Sequence, residues 1–141
     1  MVPDGTDSRI IGLLRQNADL SYTEMAKRLR LNESTLRKRI ITLRSKGIIR
    51  RRLADVNAEK LGYKSRMMLA VDAEPSKLLG VGKRLAAIPQ ARFVFAMSGE
   101  SDFLVVIWTR DSDSMAKVVE SVGVIEGVAK VTQNFLWDRL K

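Results

Sequence analysis

The tightest constraint on this chain is a spacing near its start. Ser21 and Glu24 form an S-x-x-E pair, the mark of a boxed helix start in which each residue satisfies the other's backbone N–H. Met25, Ala26 and Leu29 then supply the inward side of a helix of about eight residues. Only Arg30 and Leu31 separate it from Asn32, a good cap for another helix. Two helices joined by so few residues cannot lie antiparallel; they cross steeply, as in a helix-turn-helix.

The helix expected over residues 32–47, NESTLRKRIITLRSKG, ends at Gly47 and has two unlike sides. Leu36, Ile40 and Leu43 fall on one stripe that must be buried. Ser34, Lys38 and Ser45 point the opposite way, flanked by Thr35, Arg37 and Thr42, so the outward side offers hydroxyls and cations. Those groups bond base edges and phosphate oxygens. An earlier helix, capped by Asp7 and ended by Asn17 and Asp19, carries Ile10, Ile11, Leu13 and Leu14 at helical spacing. Ala26 sits where the second and third helices touch, and Leu29, Leu31, Leu36 and Ile40 fill the core between them. The turn of this motif ordinarily has glycine, because its backbone takes φ > 0. Here Arg30 stands there, and a positive φ is expected of it at a strain of roughly 1 kcal/mol.

Charge supports a polyanionic partner. The 141 residues carry twenty-five Lys and Arg against sixteen Asp and Glu, net +9. Residues 1–63 hold fourteen basic and seven acidic side chains, net +7, and residues 64–141 hold eleven and nine, net +2. The first half therefore carries the attraction. After Gly47, Ile48 and Ile49 open an extended segment into Arg50, Arg51 and Arg52, a solvated strand edge or linker, or else a set of phosphate contacts. A short connecting helix is expected over 55–61, closed by Gly62. The expected division is a DNA-binding helix-turn-helix at 1–54, a linker at 55–63 and a second domain at 64–141.

The second domain reads β-α-β-β-α-β. A strand from Ser65 to Val71 sets Met67, Leu69 and Val71 against Met68 and Ala70. Pro75 opens a helix with Leu78, Val81, Leu85 and Ile88 inward, stopped by Pro89. Strands over 92–97 and 103–109 make a hairpin, a helix capped by Asp111 or Ser112 follows, and a strand over 129–137 alternates Val131, Gln133, Phe135 and Trp137 against Lys130, Thr132 and Asn134. The runs from Ile88 (IPQARFV) and from Ile125 (IEGVAKV) both carry a helix end into a strand. Such a repeat implies an α+β, ferredoxin-like domain with both helices on one face of the sheet. The other face, with Met68, Ala70 and Phe135 or their neighbours, is left open as an association surface, so a dimer through the sheets is expected.

The order of capped helix, boxed helix, basic third helix, then G-I-I and a segment ending in Leu61-Gly62-Tyr63, resembles the Lrp/AsnC family of bacterial and archaeal feast/famine transcription regulators. The resemblance runs through nearly the whole chain. It implies that the second domain senses an effector and gathers dimers into tetramers or octamers. It also implies an amino-acid effector near the turn Gly99, Glu100, Ser101 and Asp102, where Gly99 and Asp102 match the family's G-x-Y/F-D pattern and Ser101 replaces its aromatic. The same tetrapeptide is otherwise a hairpin turn in which glycine supplies φ > 0 and aspartate accepts backbone hydrogen bonds.

Other functions fit poorly. With neither histidine nor cysteine, general acid–base work would fall to carboxylates, and Glu100/Asp102 and Asp111/Asp113 already serve as turn and helix cap. No enzyme, metal or cofactor is expected. Phe103-Leu-Val-Val-Ile-Trp-Thr lacks the glycine and basic start of an RNA-recognition strand. The apolar runs are too short to span a bilayer, Asp4 and Asp7 stand where a signal peptide needs cations, and the absence of cysteine excludes disulfides, so a cytoplasmic protein is expected. Ser34, Thr35, Arg37 and Lys38 are the expected base-edge readers. Tyr22, Thr23, Arg39, Thr42 and Arg44 are the expected backbone contacts on double-stranded DNA. The alternative is an architectural, chromatin-like DNA binder without an effector.

Overall fold

The computed structural model describes residues 3–51 and 54–136 and divides into two compact units, Met1–Asp55 and Val56–Lys141. Arg52, Leu53 and the Trp137 end of the last expected strand lie outside the described residues.

In the first unit, α1 spans Gly5–Gln16, α2 Tyr22–Leu29 and α3 Glu33–Ser45. The box at α2 forms in full: Glu24 N–H donates to Ser21 Oγ at 3.2 Å, and Ser21 N–H donates to Glu24 Oε2 at 3.0 Å. Asn32 Oδ1 accepts from Ser34 N–H at 3.0 Å and starts α3. Arg30 lies in the left-handed region at φ 55°, the only non-glycine to do so among the described residues. Its conformation lets the Leu31 N–H reach back to Ala26 O at 2.9 Å, which turns the chain from α2 into α3 within two residues. Ile10, Leu20, Met25, Ala26, Leu29, Leu36, Ile40 and Leu43 form the core, with Ile48 and Ile49 packed on it. Each fully buried aliphatic contributes about 1.5–3 kcal/mol, enough to override the cost of the Arg30 turn.

Two expectations about this unit change. The cap of α1 is Asp4, not Asp7: Asp4 Oδ1 accepts the Asp7 N–H at 2.8 Å, and Asp7 sits three residues on with 5% of its surface exposed. The extended segment expected from Ile48 does not start there: residues 48 and 49 form a bend, because both Ile48 and Ile49 N–H groups close back onto Leu43 O, at 3.0 and 3.1 Å.

The second unit begins with a hydrogen-bonded turn at 58–62 in place of the expected connecting helix. Ala58 is buried and accepts the Tyr63 N–H at 2.9 Å. Then come β1 (Ser65–Ala73), a 3-10 turn at Pro75–Lys77, α4 (Leu78–Ala86), β2 (Ala91–Ala96), β3 (Phe103–Thr109), α5 (Ser112–Gly123) and β4 (Val128–Phe135). The strands pair antiparallel in the order β2-β3-β1-β4. Met67, Leu69, Val71, Phe103, Val105 and Ile107 pack under Val81 and Leu85 of α4 and Met115, Val118 and Val122 of α5. The internal repeat has a physical cause. Ala91 N–H bonds Ile88 O and Val128 N–H bonds Ile125 O, each at 3.0 Å, so the same turn feeds each helix into its strand. At the second of these turns Gly127 takes φ 94°, and a Cβ there would lie 2.6 Å from Lys77 Cβ.

Directly paired residues share a sheet face. Met68 pairs Val106 and Ala70 pairs Leu104 on the face away from the helices, and Phe93 and Phe95 join them from β2. Phe135 does not. It pairs with core-facing Met67, so it projects to the helix side at the strand end, where it is 79% exposed.

Candidate nucleic-acid interface

The outward side of α3 is positioned by its inward side. Leu36 and Ile40 are fully buried and Leu43 nearly so, which leaves Ser34, Thr35, Arg37, Lys38, Thr42 and Arg44 exposed. Ser34 Oγ donates to Asn32 Oδ1 at 3.0 Å, and Thr42 Oγ1 donates to Lys38 O at 3.0 Å.

The first turns of α2 and α3 are laced together. Thr23 Oγ1 donates to Glu33 Oε2 at 2.9 Å, Arg37 Nη2 lies 3.3 Å from Glu33 Oε1, and the Arg37 guanidinium sits 4.9 Å above the Tyr22 ring. Tyr22, Thr23 and Arg37, separated by up to fifteen positions in sequence, thus share one surface with an acid among them.

Arg39 takes another direction. Its Nη1 lies 2.7 Å from Asp4 Oδ2 and 2.8 Å from Asp7 Oδ1, tying α3 to the start of α1. The Asp7 backbone N–H, and then Arg39, hold the Asp4 carboxyl below its ordinary value, while Asp4 and Asp7 together raise the Arg39 pKa. Sequence reasoning assigned Arg39 to phosphates although it stands beside the buried stripe; its acidic partners lie more than thirty residues away, beyond any local pattern. Ile41 and Glu33 were passed over. Of the adjacent pair Ile40 and Ile41 only one can face inward, and Ile41 is 58% exposed on the same helix.

In the second unit the 99–102 turn stands at the start of β3. Gly99 has φ 147°, and Asp102 Oδ2 accepts the Ala73 N–H from β1 at 2.8 Å while Met97 N–H bonds Asp102 O at 2.8 Å. Asp102 therefore joins β1 to the hairpin. Glu100 is exposed and Ser101 half-buried. At the opposite end of the sheet lies a cleft of about 480 Å³ among Lys64, Arg66, Arg110, Phe135 and Leu136. Nearby, the Arg92 guanidinium covers Tyr63 at 4.9 Å and Trp108 at 5.5 Å, a cluster that periodicity had not revealed because its members come from three segments.

Residues 3–50 match the family of winged helix-turn-helix DNA-binding domains, and residues 66–141 match the Lrp/AsnC ligand-binding domain. The chain belongs to the Lrp/AsnC family. Its similarity to the HTH-type transcriptional regulator LrpA of Pyrococcus horikoshii is 34% identity over 98% of this chain and 99% of that one. The fold matches the leucine response regulatory protein of Mycobacterium tuberculosis with a TM-score of 0.88 (18% identity, 99% of this chain and 95% of that one). It also matches a transcriptional regulator of Neisseria meningitidis, solved as an L-Met complex, with a TM-score of 0.84 (23% identity, 99% and 93%). As an Lrp/AsnC protein the chain is a helix-turn-helix transcription regulator with a ligand-binding domain, not an enzyme. Among the described residues no helix is long and apolar enough to cross a membrane, and no acidic cluster could hold a metal ion.

Proposed function

We propose that this Lrp/AsnC protein is a cytoplasmic regulator that recognises specific double-stranded DNA sequences as a dimer, with α3 in the major groove. The observation that carries the reading is the division of α3, whose inner stripe is buried while its outer side holds Ser34, Thr35, Arg37 and Lys38 in solvent. These four read base edges. Tyr22 and the backbone N–H of Thr23, at the N-terminus of α2, meet phosphates together with Arg44, whereas the Thr23 and Thr42 hydroxyls donate to Glu33 Oε2 and Lys38 O. Arg39 leaves that set because its guanidinium is engaged by Asp4 and Asp7. Ile41 adds an apolar contact suited to a thymine methyl.

The dimer forms through the open sheet face, where Phe93 and Phe95 stack at 6.2 Å beside Leu104, Val106 and Met68. Two copies of α3 then enter successive major grooves about 34–36 Å apart on a pseudo-palindrome. An amino acid is the effector, bound at the 99–102 turn and drawing dimers into tetramers or octamers. The L-Met complex of the Neisseria neighbour supports this class of ligand. Asp102 Oδ2 is held by the Ala73 N–H, so exposed Gly99 and Glu100, with half-buried Ser101 between them and Asp102, are the residues placed to meet it first.

Selection of bound duplexes from a random pool, with and without mixed amino acids, tests the reading. One enriched pseudo-palindrome and a discrete footprint are expected. Even coverage without an enriched sequence would make the protein an architectural DNA binder.

A further inference from the structure

The face assigned to DNA contains an acid that a simple polyanion binder would not keep. Glu33 opens α3 between Arg37 and Thr23, and both its oxygens are engaged: Oε2 accepts from Thr23 Oγ1 at 2.9 Å, and Oε1 faces Arg37 Nη2 at 3.3 Å. On its far side the Arg37 guanidinium is capped by the Tyr22 ring at 4.9 Å. Tyr22, Arg37, Glu33 and Thr23 thus form a closed chain across the mouth of the helix-turn-helix, and Arg37 is gripped from two directions although 55% of its side chain is exposed.

Each element of this chain has a consequence for recognition. A negative charge facing the duplex weakens attraction to phosphates on every sequence alike. An arginine fork reads guanine O6 and N7 only when its plane is oriented, and a flexible arginine contacts whatever phosphate is nearest. The place of Glu33, between Arg37 and Thr23, bears on both. Helix chemistry alone does not require it to reach Thr23, since an acid in a first turn is favoured by the helix dipole wherever it points.

We propose that Glu33 is the positioning residue of the DNA-reading surface: it fixes Arg37 against Tyr22, and so trades general affinity for duplex DNA against base selectivity. The inference rests on the proposed function of α3 and deepens it. Glu33 touches no base in this scheme and acts through Arg37.

The full chain is compared with Glu33→Gln, Glu33→Ala, Arg37→Ala and the Glu33→Ala/Arg37→Ala double variant by fluorescence anisotropy over a salt series. The probes are a duplex selected by the wild type from a random pool, its single-base variants, and poly(dI-dC). Glu33→Gln should bind poly(dI-dC) several-fold more tightly, while its preference at one base pair falls about tenfold. Arg37→Ala should lose preference at that same base pair, and Glu33→Ala should add no further loss in that background. Undiminished preference in Glu33→Gln, alongside its loss in Arg37→Ala, would overturn the positioning role and leave DNA reading by α3 intact. A loss in Glu33→Ala that persists in full without Arg37 would also overturn it, because Glu33 would then be reading a base itself. A wild type that favours no sequence over poly(dI-dC) would remove the proposed function and this inference together.

Discussion

The helical unit and the sheet unit solve the same problem at different ranges. In the first, the helix starts are specified within two or three residues: Asp4 for Asp7, Ser21 for Glu24 and Asn32 for Ser34. In the second, the decisive polar bond spans twenty-nine positions, from the Ala73 N–H to the Asp102 carboxylate. Local specification places helices; the distant bond places a turn on a sheet. The contrast teaches that the proposed DNA surface starts from local caps and one buried stripe, with the Thr23–Glu33 link and the Arg39 pairing to Asp4 and Asp7 joining its helices, whereas the 99–102 turn is anchored by a bond to a distant strand.

The largest way to break this contrast is to remove core from the helical unit. Ile40→Ala should cost about 2–5 kcal/mol, and amide exchange should show α1 to α3 opening while the β1 to β4 ladder stays protected. Loss of protection across both units at once would mean that they unfold together. In the sheet unit, Asp102→Ala should cost about 1–3 kcal/mol by leaving the Ala73 N–H without its acceptor, read as a lower denaturation midpoint with α1 to α3 unaffected.

A smaller change should go the other way. Arg30→Gly at φ 55° should raise stability by roughly 1 kcal/mol, because glycine takes that conformation without a Cβ clash. A loss in thermal unfolding would show that the Arg30 side chain contributes more than its backbone costs.

The acid end of the pH scale sharpens the comparison further. Asp4 is held below its ordinary value of 3.8, first by the Asp7 N–H and then by Arg39, so its contribution is present above that value and lost as pH falls through its folded-state pKa. Glu24 behaves likewise from 4.5, through Ser21. Arg39→Met should therefore shift acid unfolding of the helical unit to higher pH, followed by circular dichroism. An unmoved transition would mean that the Arg39 pairing to Asp4 and Asp7 is energetically silent.

What the sequence made legible follows the same division. The order of all three helices, the positive φ of Arg30 and the βαββαβ order were readable because caps, apolar spacing and turn residues lie close together. The cap of α1 was misread although Asp4 and Asp7 have the three-residue spacing of a cap and its N–H donor, because Asp7 lies nearer the apolar stripe. Its carboxylate is instead consumed by Arg39, thirty-two residues on. Phe135 was placed on the wrong sheet face because alternation within β4 gives two sides without saying which is covered; only its pairing with Met67 decides that. The Glu33 link to Thr23 and the Arg92 cover over Tyr63 and Trp108 were invisible for a related reason, since each joins side chains from separate elements.

The central claim is that the outer side of α3 reads bases. The most direct test is the affinity of Lys38→Ala for a selected duplex and each of its single-base variants at fixed salt. The account predicts a loss of about 1–3 kcal/mol on the selected duplex and relaxed preference at one base pair. Affinity unchanged on every duplex would contradict base reading by Lys38, and uniform weakening on all of them would move Lys38 to the DNA backbone.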